Sequence, residues 1–469
     1  MRRTTPSRET PRSGPRIIGI AIMAAAFLLA GCGLAGASPA AHPAGAPAAN
    51  AAPIRIGAVF PISGNAAGLA GPELAGVRIA VDLVNADGGV GGHQIALEVR
   101  DLESRADADA VMTDLKRSGI ELVIGAYSSD LSIAASAAAD RAGLLYWEAG
   151  AVADRLTGRG LPMVFRVGAS GTNLGSNSAA FAATELASRL GKATSQLRVA
   201  LVVADDDYAR SVADAAAITA AQAGMPIVAR ATYNLNQPNW PAVMAQLKAA
   251  RPDTIILASH IPDGIAFRQA MLAADLKVGA LIGSTMAECD PDFAGDLGAD
   301  AVGIFASDRP TAGFRPEALD PTARIAYDRF AAAWVVAAHS AGSPSPSAAE
   351  YSIQGPTMSA SAETDEEALA GFSAGWALFH DVLRKAFGGT SNAVTPSAVT
   401  VAEAARAVDL PMGSLPNGAG LRFSNGAATL GQNELAAAVI WQWQAVQRYA
   451  FVWPSSYATG EIAFVPLPR

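Results

Sequence analysis

The chain has 469 residues, enough for two or three ordinary domains with substantial cores. Hydrophobic residues make up 51% and charged ones 16%, much of the apolar share being alanine, and the net charge is −8. That balance argues against nucleic acid or an anionic membrane surface as the main partner.

Arg2, Arg3, Arg8, Arg12 and Arg16 make a basic start, and Ile17 to Ala30 is an uncharged apolar run too short to span a bilayer comfortably. Leu29-Ala30-Gly31-Cys32 closes it. A small residue before a cysteine at this point resembles the lipobox of bacterial lipoproteins. The resemblance implies a signal peptide over 1–31, lipidation at Cys32, and a mature body outside the cytoplasm, anchored to the cell membrane on its outer face or in a periplasm. An ordinary signal peptide with an incidental cysteine is the alternative. Gly33 to Ala52 is mostly Ala, Pro and Gly without Asp, Glu, Lys or Arg. It cannot bury a core, so 32–53 is expected to be a flexible tether. Lipidation of Cys32 leaves Cys289 without a partner, so no disulfide is expected. No later apolar run is long enough to cross a bilayer.

From Ile54 the chain alternates short apolar runs with amphipathic stretches. Ile54 to Phe60 reads as a buried strand. Pro72 suits the first turn of a helix with Leu74, Val77, Val81 and Val84 on one face, ended by Gly88-Gly89. A strand at Ile95 to Asp101, a helix near Ala106 to Ser118, a strand at Glu121 to Gly125, a helix near Leu131 to Ala142 and a strand at Leu144 to Trp147 follow. This βαβ succession predicts a parallel sheet with helices on both faces.

The pattern restarts after Phe165-Arg166-Val167. Strands are predicted at Arg198 to Val203, Pro226 to Tyr233, Thr254 to Ser259 and Ala280 to Gly283, with helices between them. Past Ile304-Phe305-Ala306 the chain turns helical (Thr322 to His339, Asp365 to Phe387) around a Ser, Pro and Ala-rich stretch at Ala341 to Glu363, read as an exposed insertion. Two β-like runs, Ala436 to Gln444 and Arg448 to Trp453, end it. The tail is too short and mixed for a third α/β domain, so its pieces are expected to return to the two modules already built.

Ile56-Gly57-Ala58-Val59-Phe60-Pro61-Ile62-Ser63-Gly64, Gly76-Val77-Arg78 and Val84-Asn85-Ala86-Asp87-Gly88-Gly89-Val90-Gly91-Gly92 resemble the opening of the type I periplasmic binding proteins. Val123-Ile124-Gly125 with Ser128-Ser129, Phe165-Arg166, Asp207-Tyr208 and Phe267-Arg268-Gln269-Ala270 continue the likeness to about Ser307. The branch is the leucine/isoleucine/valine-binding one, the extracellular receptors of branched-chain amino-acid-type ABC importers. It implies an α/β fold of two doubly wound parallel-sheet lobes joined by three hinge crossings, near Arg166 to Gly168, Ala306 to Asp308 and Ser424 to Gly431. Lobe one is then 54–168 plus 307–428, and lobe two 169–306 plus 429–469. The resemblance also implies a monomeric receptor that closes on a small solute and hands it to permease and ATPase subunits.

Ligands of open α/β sheets bind outside the carboxyl ends of strands. Ser128 and Ser129 follow a strand and open a helix, a place suited to a ligand carboxylate or to a helix cap. Glu148, Gly150, Ala151 and Val152 end the next strand. The family often has a threonine where this chain has Val152, so the backbone N–H groups of Gly150 to Val152 are left as donors. Glu148 either reads a cationic or donor-rich group or forms a structural ion pair. The resemblance adds Tyr208 closing over the ligand, His260 at a place commonly aromatic, Thr285 near the family's ammonium-binding acid, and Leu69 on the wall. Asp205 to Asp207 read as solvated charges or favourable charges at a helix N-terminus.

No catalytic, cofactor or metal constellation is present in the sequence. Cys289 has no nearby His, and His42, His93, His260, His339 and His380 lack metal-ligand spacing. The expected function is lipid-anchored capture of a small polar or amphipathic solute, amino-acid-like, amide or carboxylate, for ABC uptake. The alternative is a sensory receptor ectodomain signalling to a partner protein.

Overall fold

The computed structural model describes residues 51–64, 66–284, 291–310, 313–340, 366–388, 395–446 and 448–468. Cys32, most of the tether, Thr285, Cys289 and the 341–363 stretch lie outside them. Among the described residues no helix is long and apolar enough to cross a membrane.

Short apolar runs with turns on either side fold as the period predicts. β1 (Ile54–Phe60), β2 (Ile95–Asp101), β3 (Leu122–Gly125), β4 (Leu145–Glu148) and β5 (Val164–Arg166) form a sheet in the order β2-β1-β3-β4-β5, with every neighbour parallel. The helices between them are α1 (Ala67–Ala86), α2 (Ala108–Arg117) and α3 (Ser129–Ala142). α1 begins earlier than its proline suggested. Ala67 to Gly71 already wind into helix and leave Pro72 in its interior, so the proline starts nothing and the chain forgoes one backbone bond there.

After β5 comes α4 (Gly171–Phe181), then β6 (Val199–Ala204), α5 (Asp207–Gln222), β7 (Ile227–Tyr233), α6 (Trp240–Ala250), β8 (Thr254–Ala258), α7 (Ile261–Ala273), β9 (Ala280–Ser284), α8 (Pro291–Leu297) and β10 (Phe305–Asp308). The tail strands β11 (Val439–Ala445) and β12 (Arg448–Trp453) add an edge. This sheet runs β12-β11-β10-β9-β8-β6-β7. It is parallel from β7 to β10 and antiparallel at β11 and β12, so it is mixed rather than purely parallel. β11 and β12 are a hairpin, which pairs only antiparallel. β3 and β6 are buried along their whole length, as strands covered on both faces must be.

Between β10 and β11 the chain returns to the first sheet through α9 (Pro321–Ser340), α10 (Glu366–Trp376) and α11 (Ala398–Arg406). It therefore passes from one sheet layer to the other three times. α10 lies directly on α1. A Cβ on Gly76 would come 2.0 Å from the Ala368 carbonyl, and one on Gly371 1.9 Å from that of Glu73, so the two backbones touch where only glycine fits. Trp147 of β4 and Phe165 of β5 meet Phe423 edge to face, and the Trp147 indole donates to the Ala374 carbonyl at 2.9 Å, locking α10 to the sheet.

Candidate functional site

A cavity of about 390 Å³ opens between the carboxyl ends of the strands of both sheets. Tyr127 to Asp130 after β3 and Gly150 to Val152 after β4 line it from the first sheet. Asp206 to Tyr208 after β6, Leu235 after β7 and His260 after β8 line it from the second, and Arg309 and Glu367 complete it. Its size is that of ordinary small-molecule sites, about 300–1,000 Å³.

Two polar side chains shape the first wall. Ser128 is the N-cap of α3, its hydroxyl accepting from the Leu131 N–H at 3.4 Å. Ser129 Oγ accepts from the N–H groups of Val152 (3.3 Å) and Ala153 (3.0 Å). Glu148 does not line the cavity. It is fully buried, its Oε1 takes the N–H groups of Gly150 (2.9 Å) and Ala151 (2.8 Å), and Tyr146 donates to its Oε2 at 3.1 Å. Burial raises its carboxyl above the usual range although those donors pull it down. The expectation that the backbone N–H groups of Gly150 to Val152 would serve a ligand is therefore corrected. All four N–H groups from Gly150 to Ala153 already have an acceptor, because a buried loop must satisfy its own backbone.

Arg166 holds the carbonyl side of the same loop. It is 1% exposed, and its Nη1 donates to Val152 O (2.8 Å) and Ala153 O (2.7 Å), with Nε on Gln432 Oε1. Burial lowers it to about 10.

On the second wall Asp206 is the N-cap of α5, accepting from Ala209 N–H at 2.8 Å, and it also meets the His260 imidazole. The aspartates are thus not simply solvated. Asp207 pairs with Arg155 and Arg210. The Tyr208 hydroxyl donates to the Ser284 carbonyl, which fixes the ring at the cavity. Leu69 lies in the first turn of α1 packed on the core, away from the cavity lining, because the helix starts before it. Thr285 lies outside the described residues.

Tyr127, Leu235, Arg309 and Glu367 line the cavity without having been singled out from sequence. Tyr127 has φ +82°, a conformation costly for an aromatic residue and one that a tyrosine in a sequence does not announce. Leu235 could have been found, since it follows a predicted strand. Arg309 directly follows β10, and its guanidinium meets Glu367 Oε2 at 2.5 Å, Glu366 Oε1 at 3.4 Å and the Gly150 carbonyl at 3.2 Å. Among the described residues no group of three or more His, Cys, Asp or Glu is placed to hold a metal ion.

The family profile described as "Periplasmic binding protein" matches residues 53–429. Leu/Ile/Val-binding protein homolog 8 of Brucella abortus is 27% identical over 415 residues, covering 88% of this chain and 93% of the relative. Leu/Ile/Val-binding protein homolog 7 of Brucella melitensis is 30% identical over 255 residues, 54% of this chain and 61% of that protein. Among solved structures, an ABC transporter substrate-binding protein from Desulfitobacterium hafniense in complex with Leu superposes with a TM-score of 0.61 at 21% identity, covering 85% of this chain and 99% of that one. A solute-binding protein of an ABC transporter from R. palustris, in complex with benzoate, gives 0.59 at 18% identity, covering 88% and 97%. These likenesses show the fold.

Proposed function

This chain belongs to the periplasmic binding protein family, of the type I fold, and from that premise we propose that it is the solute-binding receptor of an ABC uptake system for a small amino-acid-like, amide or carboxylate solute. Members of the family bind rather than transform their ligands and act outside the cytoplasm. The observation that carries the reading is the cavity lined from the carboxyl ends of both sheets. Such a crevice suits a ligand that touches two bodies at once and so favours their closed arrangement. In this reading 54–168 plus 307–428 and 169–306 plus 429–469 are the two lobes, and the three passages of chain between the sheets are the hinges.

The site residues in this proposal are Ser128, Ser129, Tyr208, His260 and the Gly150 to Val152 wall, with Tyr127 and Leu235 as apolar lining. The relatives' names favour an aliphatic amino acid, and the benzoate complex shows that the fold also takes an aromatic carboxylate. Lipidation of Cys32 would keep the receptor beside its permease and raise its effective concentration there.

The direct test is mass spectrometry of the small molecule that co-purifies, followed by thermal-shift measurement with that compound. Ser129→Ala combined with Tyr208→Ala should abolish ligand-induced stabilisation, and unchanged stabilisation rejects the site. Cys32→Ser should move the protein from the membrane fraction to the soluble one.

A further inference from the structure

We propose that the solute carries a surplus cationic group, an ammonium, amidinium or guanidinium, and that Glu73 reads its charge through the Gly150 wall of the cavity. This rests on the receptor reading above and names the solute class more narrowly.

Glu73 is 0% exposed, and neither of its carboxyl oxygens has a hydrogen-bond partner among the described residues. Its carboxyl lies against Gly150, where an added Cβ would sit 2.0 Å from Oε2. Gly150 lines the cavity, so a single residue without a side chain separates this acid from whatever the cavity holds. A buried carboxyl without partners costs free energy that an apolar side chain of the same size would not.

The charges around it make the need for a cation explicit. α10 contributes Glu366 and Glu367, the end of β4 contributes Glu148, and the end of β10 and the residue after it contribute Asp308 and Arg309. Arg309 is divided between Glu366, Glu367 and the Gly150 carbonyl, and Arg166 gives its hydrogen bonds to carbonyls, Gln432 and Thr157 and faces Asp154 at 3.9 Å. Acids outnumber cations here, and Glu73, Glu148 and Asp308 are wholly buried. Burial first, then the charges of Glu367 and Glu148, hold the Glu73 carboxyl well above the ordinary range, with Arg309 pulling the other way. Burial and these neighbouring acids favour its protonated form. A cation on the Gly150 and Glu367 side of the cavity would favour its ionisation and drive that proton off. The first wall is poor for an anion by the same geometry, since its loop N–H groups are already accepted by Ser129 and Glu148.

The test is isothermal titration of the full chain with arginine, putrescine, leucine and benzoate at pH 7, each in phosphate and in Tris, whose different ionisation enthalpies report protons released. Arginine or putrescine should bind with proton release. Glu73→Gln should lose the release and weaken binding on the order of tenfold. Glu73→Leu, close in size and apolar, should behave alike if the Gln variant folds poorly. A merely structural role for Glu73 would leave proton release unchanged, and that result overturns the proposal, as does tighter binding of leucine or benzoate than of both cations. The receptor reading survives either of those outcomes. It falls only if no probe of any charge binds and no small molecule co-purifies, which overturns both.

Discussion

His260 Nε2 lies 2.5 Å from Asp206 Oδ2, so an ion pair ties the loop after β8 to the N-terminus of α5 at the cavity wall. Burial opposes protonation of His260, but the hydrogen bond and charge of Asp206, with Asp263 behind them, outweigh it and raise the imidazole above 6.5. Burial likewise pushes Asp206 up, while His260, the Ala209 N–H and Arg210 together bring it below 3.8. The Asp206 share of stability is whole above 3.8 and is lost as pH falls through the depressed folded value. The His260 share is whole below 6.5 and is lost as pH rises through the raised folded value. Asp206→Asn keeps a capping side chain but removes the pair. The stability gap between wild type and this variant should be widest between pH 3.8 and 6.5. There it should reach roughly 1–2 kcal/mol, and it should narrow as pH rises further. Melting curves across that range check this, and a gap that does not vary with pH counts against it.

Gly150 and Glu73 should be coupled sterically as well as electrically. Gly150→Ala puts a methyl 2.0 Å from Glu73 Oε2, and a fully buried carboxyl cannot swing into solvent to make room. The cost should be about 1–3 kcal/mol. Glu73→Ala removes the obstructing atoms, so the double variant should be more stable than the two single losses added together. Urea unfolding of the four proteins measures the coupling, and strict additivity would show that the contact is absent.

The strands and the cavity rim could be read from the sequence because each follows from a local rule. Val199 to Ala204 is an unbroken apolar run and became a strand buried throughout. Ser128 and Ser129 were named because they follow a strand and open a helix, Tyr208 and His260 through the family resemblance, and all four line the cavity. What escaped depends on long-range packing. Glu73 sits beside Leu74 on α1, and nothing local shows that α10 comes close enough at Gly76 and Gly371 to bury it. The Arg309 pair with Glu367 joins residues 58 apart in sequence across a low-complexity stretch. The hydrogen bonds of Glu148 and Ser129 to the Gly150 to Ala153 loop were not legible, because which N–H groups a side chain satisfies is settled only when two loops meet. The antiparallel edge was missed differently. The two tail runs were seen as β-like, but their partner strand was not.

Tyr208 should separate positioning from contact. Its hydroxyl holds the ring against the end of β9 through the Ser284 carbonyl, and the side chain is 4% exposed. Tyr208→Phe loses that hydrogen bond and should cost about 1 kcal/mol of stability, while keeping the ring and most of the ligand-induced thermal shift. Tyr208→Ala should lose the shift. If Phe and Ala lose the shift equally, the hydroxyl rather than the ring is what the ligand needs.

Arg166 should be the residue whose loss most disturbs the cavity without touching it. Its guanidinium joins three parts of the chain: the Val152 and Ala153 carbonyls of the wall, the end of β5, and Gln432 in the segment that leads to β11. The backbone repeats the tie, with Arg166 N–H donating to Gly431 O at 2.9 Å and Asn433 N–H to Arg166 O at 3.0 Å. Arg166→Met keeps the bulk but removes a charged donor from the Val152 and Ala153 carbonyls, which retain the Gly171 and Leu156 N–H groups, and takes the donor from the Gln432 oxygen, a loss of about 2–3 kcal/mol. Arg166→Lys should recover little of it, since one ammonium cannot reproduce a planar fork that donates in two directions at once. Because the loop's N–H side stays anchored by Ser129 and Glu148, the loss should appear as a weaker ligand-induced shift in a protein that still folds. Urea unfolding together with thermal shift reads both quantities, and a lysine variant equal to wild type in each would mean that charge alone, not the geometry of the fork, holds the wall.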